Sequence, residues 1–194
     1  MSFLYDTNGK RKYLTIDERR GFLSAAASAR PEVFTFCAML AYTGARISEV
    51  LALSPERFDI AEQTIRIECL KKRRRGIYRA VPVPRELLEL LDKTHGIKKA
   101  QLTPQAAREP IWPWCRTTGW KHVNQAMAAA DIIGVHACPK GLRHSFGVCA
   151  LQKEVPLNMV RKWLGHSRLA TTAIYADAMG DEEREIANRL WETF

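Results

Sequence analysis

The sequence predicts a mostly α-helical protein that carries a small antiparallel β-hairpin or sheet. Apolar residues recur at helical spacing over most of the 194 residues, whereas residues 64–83 show the alternation and β-rich composition of strands. Apolar residues make up 46% and charged residues 26% of the chain, as in a typical globular protein. Collagen-like, low-complexity and disordered classes are therefore excluded.

Residues that begin and end helices mark the first three helices. Thr15 and Glu18 have the spacing of a capping box, in which each side chain accepts a hydrogen bond from the other residue's backbone N–H. Pro31 favours the first turn of the next helix, and Gly44 can end that helix in the left-handed conformation. The predicted helices span residues 15–29, 31–43 and 46–53.

A change of period predicts the hairpin. Ile65, Ile67 and Cys69 alternate with polar residues, which predicts a strand over residues 64–71. A second β-rich segment spans residues 78–83 and ends at prolines, and a basic loop with a glycine joins the two.

Helical patterns return after the hairpin, and no repeat or linker divides the chain. The predicted helices span residues 85–93, 117–130, 140–153, 156–164, 169–176 and 181–193, and residues 95–116 have the least pattern. We therefore expect residues 1–13 to form an arm and residues 14–179 to form one domain. Residues 180–194 should form a C-terminal helix.

The charge suggests a polyanionic partner. Thirty Lys and Arg against 21 Asp and Glu give a net charge of +9, which suits a nucleic-acid partner but by itself fits a merely basic soluble protein equally well. The charge is also polarised along the chain. Residues 71–85 contain seven basic residues and no acidic one, whereas residues 177–194 contain six acidic residues and two arginines.

The sequence does not show the motifs of zinc proteins, common hydrolases or P-loop proteins, nor those of secreted or membrane-spanning proteins. The five cysteines are odd in number and lack zinc spacing, and the chain has no HExxH, GxSxG or P-loop motif. The N-terminus is polar, and the longest apolar run, residues 33–42, is too short for a bilayer. We therefore expect a cytoplasmic protein with reduced thiols and without membrane partners.

Two clusters of basic residues lie on predicted helix starts and faces. Arg46 and Glu49 lie three residues apart at a helix start, where Arg46 could bind a phosphate or form a structural ion pair. Lys140, Arg143 and Gly147 share one face of a later helix. The glycine would let a ligand or backbone approach closely, and the alternative is an ordinary solvated basic face.

A third cluster joins a turn to a short helix. Gly165 ends a predicted helix and places His166 in a turn, and Tyr175 follows nine positions later. A tyrosine there is usually a half-buried core residue with a solvated hydroxyl, so this segment does not assign a function by itself.

Together, these clusters resemble the motifs of the tyrosine recombinase (phage integrase) family. The motifs are Thr-Gly-x-Arg-x-Ser-Glu from residue 43, Leu-Arg-His from residue 142, Leu-Gly-His from residue 164 and Thr-x-x-Tyr from residue 172. The resemblance covers residues 13–179. It implies that residues 14–179 have the fold of the family's catalytic domain, and that the substrate is double-stranded DNA.

The resemblance also implies a role for each matched residue. Tyr175 would attack a DNA phosphodiester, forming a 3′-phosphotyrosyl link and freeing a 5′-hydroxyl. Arg46 and Arg143 would hold the nonbridging oxygens of the transition state, and His166 would donate a further hydrogen bond. No metal or other cofactor would be required. No ATP would be needed either, because the bond energy stays in the phosphotyrosine.

A hairpin lysine would protonate the leaving oxygen, and either Lys71 or Lys72 could do so. Lys71 is in register with the face of Ile67 and Cys69, which favours it. Other basic or polar residues would contact DNA. These contacts are predicted at Lys72, Arg73, Arg74, Arg75 and Arg79 around the hairpin, and at Arg116, Lys121 and Asn124 on the segment of residues 116–127.

The chain departs from the family pattern in two ways. Lys140 stands where the family usually has histidine; it can bind a phosphate oxygen, but as a cation it is a poor general base. Only the arm precedes the catalytic domain, where most members carry a helical domain that closes around DNA. In length the chain resembles short recombinases that invert promoter elements of fimbrial genes.

The implied activity is DNA integration, inversion or recombination by a homo-oligomer, a tetramer on paired DNA sites. The resemblance implies that the apolar stripe of the C-terminal helix docks on a neighbouring protomer in that assembly, and the alternative is that it packs on its own chain. Two alternatives are a type IB topoisomerase, which acts as a monomer, and a catalytically silent DNA-binding module derived from an integrase.

Overall fold

The computed structural model describes residues 4–70 and 76–177, together with residues 184, 187, 188 and 191. The first three helices are α1 (Ile16–Ala27), α2 (Pro31–Thr43) and α3 (Ile47–Leu51). The capping box is present, because Thr15 Oγ1 accepts from the Glu18 N–H at 3.2 Å and Glu18 Oε2 accepts from the Thr15 N–H at 2.9 Å. Gly44 ends α2 with a φ of 59°, a backbone conformation that favours glycine.

The sheet has three antiparallel strands in the order β1 (Phe58–Asp59), β2 (Thr64–Glu68) and β3 (Tyr78–Pro82). The predicted hairpin is β2 with β3, in a register that places Ile65 opposite Val81 and Ile67 opposite Arg79. These four residues are buried on the face that meets the core. Strand β1 was not predicted, because two residues are too few to show a period.

The later helices are α4 (Arg85–His95), α5 (Ile97–Ala100), α6 (Arg116–Ala129), α7 (Pro139–Gln152), α8 (Leu157–Leu164) and α9 (Ala170–Ala173). Short 3-10 turns lie at Pro55–Arg57, Ala106–Arg108 and Ile174–Asp177. The helix predicted over residues 169–176 is therefore α9 followed by a 3-10 turn. Within the least patterned stretch, buried Trp112 anchors the chain by donating its indole N–H to the Glu32 carbonyl at 3.0 Å.

Two clusters of buried side chains hold the fold together. The larger surrounds α2, which is buried along most of its length. The smaller joins Leu4 and Tyr13 of the predicted arm to Val148 on α7, to α8 and to Tyr175. The described part of the arm is thus packed against the helices that carry the third motif.

Helix α7 is more enclosed than its pattern indicates. Leu142, Arg143 and His144 are buried, whereas Phe146 and Cys149 are only partly buried. The reason is that α1, α2, α8 and the 3-10 turn at Tyr175 all contact α7, so Arg143 is enclosed while Lys140 at the helix start stays exposed.

Some predicted elements lie outside the described residues. They are the basic loop of residues 71–75 and most of the C-terminal helix predicted over residues 181–193. Among the described residues, no helix has both the length and the apolar content needed to cross a membrane.

Candidate active site

Arg46 is held at the junction of α2 and α3 by its own helix. It is the N-cap residue of α3, and its backbone N–H donates to Glu49 Oε2 at 3.0 Å. Its side chain donates from Nη1 to Glu49 Oε1 at 2.8 Å, the pairing that the three-residue spacing predicted. The side chain remains 30% exposed, so the guanidinium is anchored but still reaches the adjoining cleft.

Glu49 is buried and shared between two arginines. Besides Arg46, its Oε2 accepts from Nη2 of Arg79 at 2.7 Å. Burial alone would raise the pKa of the Glu49 carboxyl, but the charges and hydrogen bonds of Arg79 and Arg46 hold that pKa below its usual range. Glu49 is therefore ionised at neutral pH.

The structure argues against the DNA contact predicted at Arg79, because the position of this side chain does not suit one. Its side chain is buried, and its Nε donates to the Trp163 carbonyl at 2.6 Å. The period of β3 explains this placement, since Arg79 and Val81 point to the same buried face. The alternation of β3 was visible in the sequence. It is a better guide to the burial of Arg79 than the membership of this residue in the basic run of residues 71–85.

Arg143 on α7 is fixed by two backbone carbonyls. Nη1 donates to Gly44 O and Nη2 donates to Leu164 O, both at 2.7 Å. Burial, together with the nearby positive charge of Arg46, lowers the pKa of Arg143 to about 10, so the group stays charged at neutral pH. A guanidinium has five N–H donors, which leaves others for a ligand.

His166 follows Gly165, whose φ of 68° ends α8. Its Nδ1 lies 2.9 Å from the hydroxyl of Thr172, and its ring stacks on Tyr175 with centroids 6.2 Å apart. Burial and the charges of Arg143 and Arg46 lower the pKa of His166 to about 3. The imidazole is consequently neutral at physiological pH.

Tyr175 lies on the 3-10 turn at the end of the described core, and its residue is only 2% exposed. Its ring packs edge-on against His144, with centroids 5.8 Å apart, as well as against His166. Burial raises the pKa of Tyr175, and the charges of Arg143 and Arg46 offset this only in part. The phenol is therefore protonated until a base removes its proton.

These residues meet in a single cleft of about 440 Å³. Five of the six predicted catalytic residues line it: Arg46, Lys140, Arg143, His166 and Tyr175. The sixth, Lys71, lies outside the described residues, as do the predicted DNA contacts Lys72, Arg73, Arg74 and Arg75. Of the contacts predicted on α6, Arg116 lines the cleft; Lys121 is exposed elsewhere on the helix, and Asn124 is partly buried.

The cleft region also contains residues to which the sequence assigned no role. Trp120 lines it one helical turn after Arg116, a spacing that could have indicated a shared face. His144 is buried beside Tyr175, and neither of its ring nitrogens has a hydrogen-bond partner among the described residues. His144 is part of the Leu-Arg-His motif, but only the enclosed position of α7 shows that it is buried beside Tyr175.

Substitution of Gly147 should impair Tyr175 rather than the fold. A Cβ at Gly147 would lie 2.5 Å from Cε2 of Tyr175, which is closer than such contacts allow. We expect Gly147→Ala to displace the phenol and to lower any reaction of Tyr175 about 10²-fold, as misplacement by an ångström can. Far-UV circular dichroism should remain that of the wild type, and an unchanged reaction rate would contradict this account.

The buried histidines should make stability fall as pH falls. Burial, together with the charges of Lys140, Arg143 and Lys12, lowers the pKa of His144 to about 4. The unfolded chain binds this proton near pH 6.5 and the folded protein does not, so stability is complete above pH 6.5 and is lost below it. We expect His144 to account for about 1–2 kcal/mol of the loss between pH 7 and pH 5.

Urea unfolding of His144→Gln at the two pH values measures this contribution. The variant should lose less stability than the wild type over the interval, since glutamine binds no proton. Equal losses in the two proteins would show that His144 is not the group responsible.

Comparison with protein families adds a finding independent of this geometry. The model of the phage integrase family matches residues 12–181, which include every described residue of the cleft. The chain belongs to the phage integrase family. This assignment confirms the resemblance of its motifs, and the mostly helical fold with its small sheet is the one predicted.

Curated relatives of this integrase-family chain are tyrosine recombinases. A tyrosine recombinase of Thermosipho africanus is 27% identical over 158 residues, covering 80% of this chain and 53% of that protein. Tyrosine recombinase XerD of Vibrio vulnificus is 25% identical over 154 residues, covering 76% of this chain and 49% of that protein. The chain thus spans about half the length of these relatives.

Solved structures have the same fold. XerA recombinase superposes with a TM-score of 0.76 at 23% identity, over 91% of this chain and 64% of that chain. XerH recombinase in a post-cleavage complex with palindromic difH substrate gives a TM-score of 0.75 at 23% identity, over 99% of this chain and 57% of that chain. The catalytic domain of bacteriophage HP1 integrase gives 0.65 at 21% identity, over 85% and 86% of the two chains.

Proposed function

We propose that this integrase-family chain is a site-specific DNA recombinase that cuts and rejoins DNA through a 3′-phosphotyrosyl intermediate. One observation carries the proposal: a single cleft holds a buried tyrosine, two anchored arginines and a neutral histidine. Binding alone requires no tyrosine at the centre of such a cleft, whereas phosphoryl transfer to protein requires a nucleophile there.

The arginines suit the charge of the transition state. A phosphodiester under attack gains negative charge on its nonbridging oxygens, which fixed guanidinium groups bind through directed hydrogen bonds. Arg46 and Arg143 are already held by Glu49 and by backbone carbonyls, so little reorganisation is needed when DNA arrives. A donor placed in this way is typically worth about 3–4 kcal/mol.

His166 is suited to donate one further hydrogen bond. If the Thr172 hydroxyl donates to Nδ1, the ring proton of the neutral imidazole lies on Nε2, which can then donate to a phosphate oxygen. The Tyr175 proton passes to solvent water as Oη bonds to phosphorus and the bond to the 5′-oxygen breaks, and the leaving 5′-oxygen must gain a proton. We assign the second transfer to Lys71, with Lys72 as its alternative, and we assign Lys140 to a phosphate oxygen.

The proposal requires that the protein binds DNA, and the salt dependence of DNA affinity tests this requirement. Arg116 is exposed on the cleft side of α6, so Arg116→Gln should reduce the magnitude of the log–log salt slope of DNA affinity by about 1. Arg30→Gln is the matched control, because Arg30 lines a separate groove with α1 and α6 residues. Fluorescence anisotropy over a salt series measures both slopes, and identical slopes would remove Arg116 from the interface.

We further propose that the protein acts as a tetramer on paired DNA sites and is located in the cytoplasm.

Two observations support DNA as the partner. Structures with this fold include a XerH complex with difH and a lambda integrase dimer on a core site. The net charge of +9 favours the same partner.

Covalent trapping tests the activity directly. The protein is incubated with supercoiled plasmid carrying the DNA that flanks its own gene, at low salt with EDTA, and then denatured with SDS. We expect protein-linked or relaxed DNA from the wild type and none from Tyr175→Phe, which keeps the ring but lacks the nucleophilic oxygen. Linkage by the phenylalanine variant, or no linkage by either protein, would contradict the proposal.

A further inference from the structure

Arg79 occupies an unusual position for a charged residue. It is 5% exposed, lies on β3 and joins three parts of the fold. Nη2 pairs with Glu49 on α3, Nε donates to the Trp163 carbonyl near the end of α8, and Nη1 lies 3.4 Å from Cys69 Sγ beside the basic loop. Burying a charge of this kind costs desolvation free energy unless ion pairs and hydrogen bonds compensate it.

Glu49 links Arg79 to the cleft. Its Oε2 accepts from Arg79 and from the Arg46 backbone, while Oε1 accepts from the Arg46 guanidinium. One carboxylate is thus shared by two guanidinium groups, and the three side chains together carry a net charge of +1. Without Arg79, the carboxylate and Arg46 would form a neutral pair.

Arg79 also abuts the segment that carries His166. A Cβ on Gly165 would lie only 3.0 Å from Nη1 of Arg79, so the turn before His166 rests directly on the guanidinium. The carbonyl that accepts from Arg79 is one residue before Leu164, whose own carbonyl accepts from Arg143. Arg79 therefore contacts Glu49, which holds Arg46, and the chain segment that supports Arg143 and leads to His166.

We propose that Arg79 is a positioning residue for strand transfer, one that shares Glu49 with Arg46 so that Arg46 keeps both its orientation and a positive charge for the scissile phosphate. This inference rests on the proposed function for its kinetic consequence. Its structural part, control of Glu49 by Arg79, holds in the protein without DNA.

The structural part is tested in the free protein. The Glu49 carboxyl is titrated by ¹³C NMR in the wild type and in Arg79→Met, with Glu49→Gln assigning its signal. Loss of the Arg79 charge should raise the pKa of Glu49, because that charge is the largest of the influences that lower it. An unchanged titration would overturn the inference whether or not the protein cleaves DNA.

The kinetic consequence is tested by measuring the rate of covalent linkage on two DNA substrates, both at the cleavage site mapped for the wild type. One carries the natural phosphodiester and the other a methylphosphonate, in which a neutral methyl replaces one charged oxygen. Arg79→Met should slow covalent linkage about 10²-fold on the phosphodiester but less than about 10-fold on the methylphosphonate, because less negative charge then develops on the nonbridging positions. Arg79→Lys keeps the charge and should retain most of the activity.

Arg66→Met is the matched control, since Arg66 is an exposed arginine on the adjacent strand β2 that donates to the Glu56 carbonyl. It should react like the wild type on both substrates.

If Arg79→Met does not fold, Arg79→Lys is compared with the wild type instead. Its linkage rate should fall by a smaller factor, and again more on the phosphodiester than on the methylphosphonate. Equal slowing on both substrates, or no slowing, would overturn the inference. No linkage by the wild type would instead refute the proposed function and leave the NMR titration to decide the structural part.

Discussion

Arg143→Gln is expected to lower the rate of covalent DNA linkage by about 10²–10³-fold, the cost of removing one fixed donor from a phosphoryl-transfer site. The arginine reaches the cleft from a buried anchor on Gly44 O and Leu164 O, and glutamine can keep only part of that anchor. Single-turnover linkage at saturating DNA measures the loss without a contribution from affinity.

The same substitution should have little effect on stability. Burial and the neighbouring charge of Arg46 lower the pKa of Arg143, which means that the folded environment disfavours the charged group. Relief of that cost offsets the loss of a hydrogen bond worth about 1 kcal/mol. A variant that unfolds easily, or that links DNA within about 10-fold of the wild-type rate, would contradict the role proposed for Arg143.

Gly141→Ala is expected to destabilise the protein by more than about 3 kcal/mol, since its Cβ would meet backbone that cannot move aside easily. That Cβ would lie 1.9 Å from the carbonyl oxygen of His136. Because α7 carries Lys140 and Arg143, any shift that relieves this clash also displaces the cleft. Urea unfolding should show the loss, accompanied by loss of DNA linkage.

Gly21→Ala is the matched control for this prediction. Gly21 lies inside α1, and its Cβ would approach Ala130 Cβ at 3.8 Å, an ordinary contact. The helix propensity of alanine should then make this variant equal to the wild type or more stable, by up to about 1 kcal/mol. Similar losses at Gly21 and Gly141 would refute the close-approach explanation.

Local patterns were sufficient for much of the fold. The Thr15 capping box, the left-handed glycine at residue 44 and the strand alternation from Ile65 all appear where the sequence predicted them. Each depends on neighbours within a few residues, so the information is contained in a short window. The pairing of Arg46 with Glu49 could be predicted for the same reason.

Where the predictions differed from the structure, longer-range contacts were responsible. Arg79 looked like part of a basic run, but its partners Glu49 and Trp163 are 30 and 84 residues away. The alternative of a solvated basic face at Arg143 does not hold, because four other elements cover α7. Residues that join distant segments leave no periodic signal in a single sequence.

The sequence by itself determined the family, the order of the helices and the hairpin, and the identity of the residues proposed for chemistry. Their spacing along the chain is a property of covalent structure. Only the tertiary structure decided that five of them share one cleft, that Tyr175 is buried between two histidines, and that Arg79 supports the site from within. Distances across the fold, burial and the resulting pKa shifts arise only when distant segments pack and exclude water.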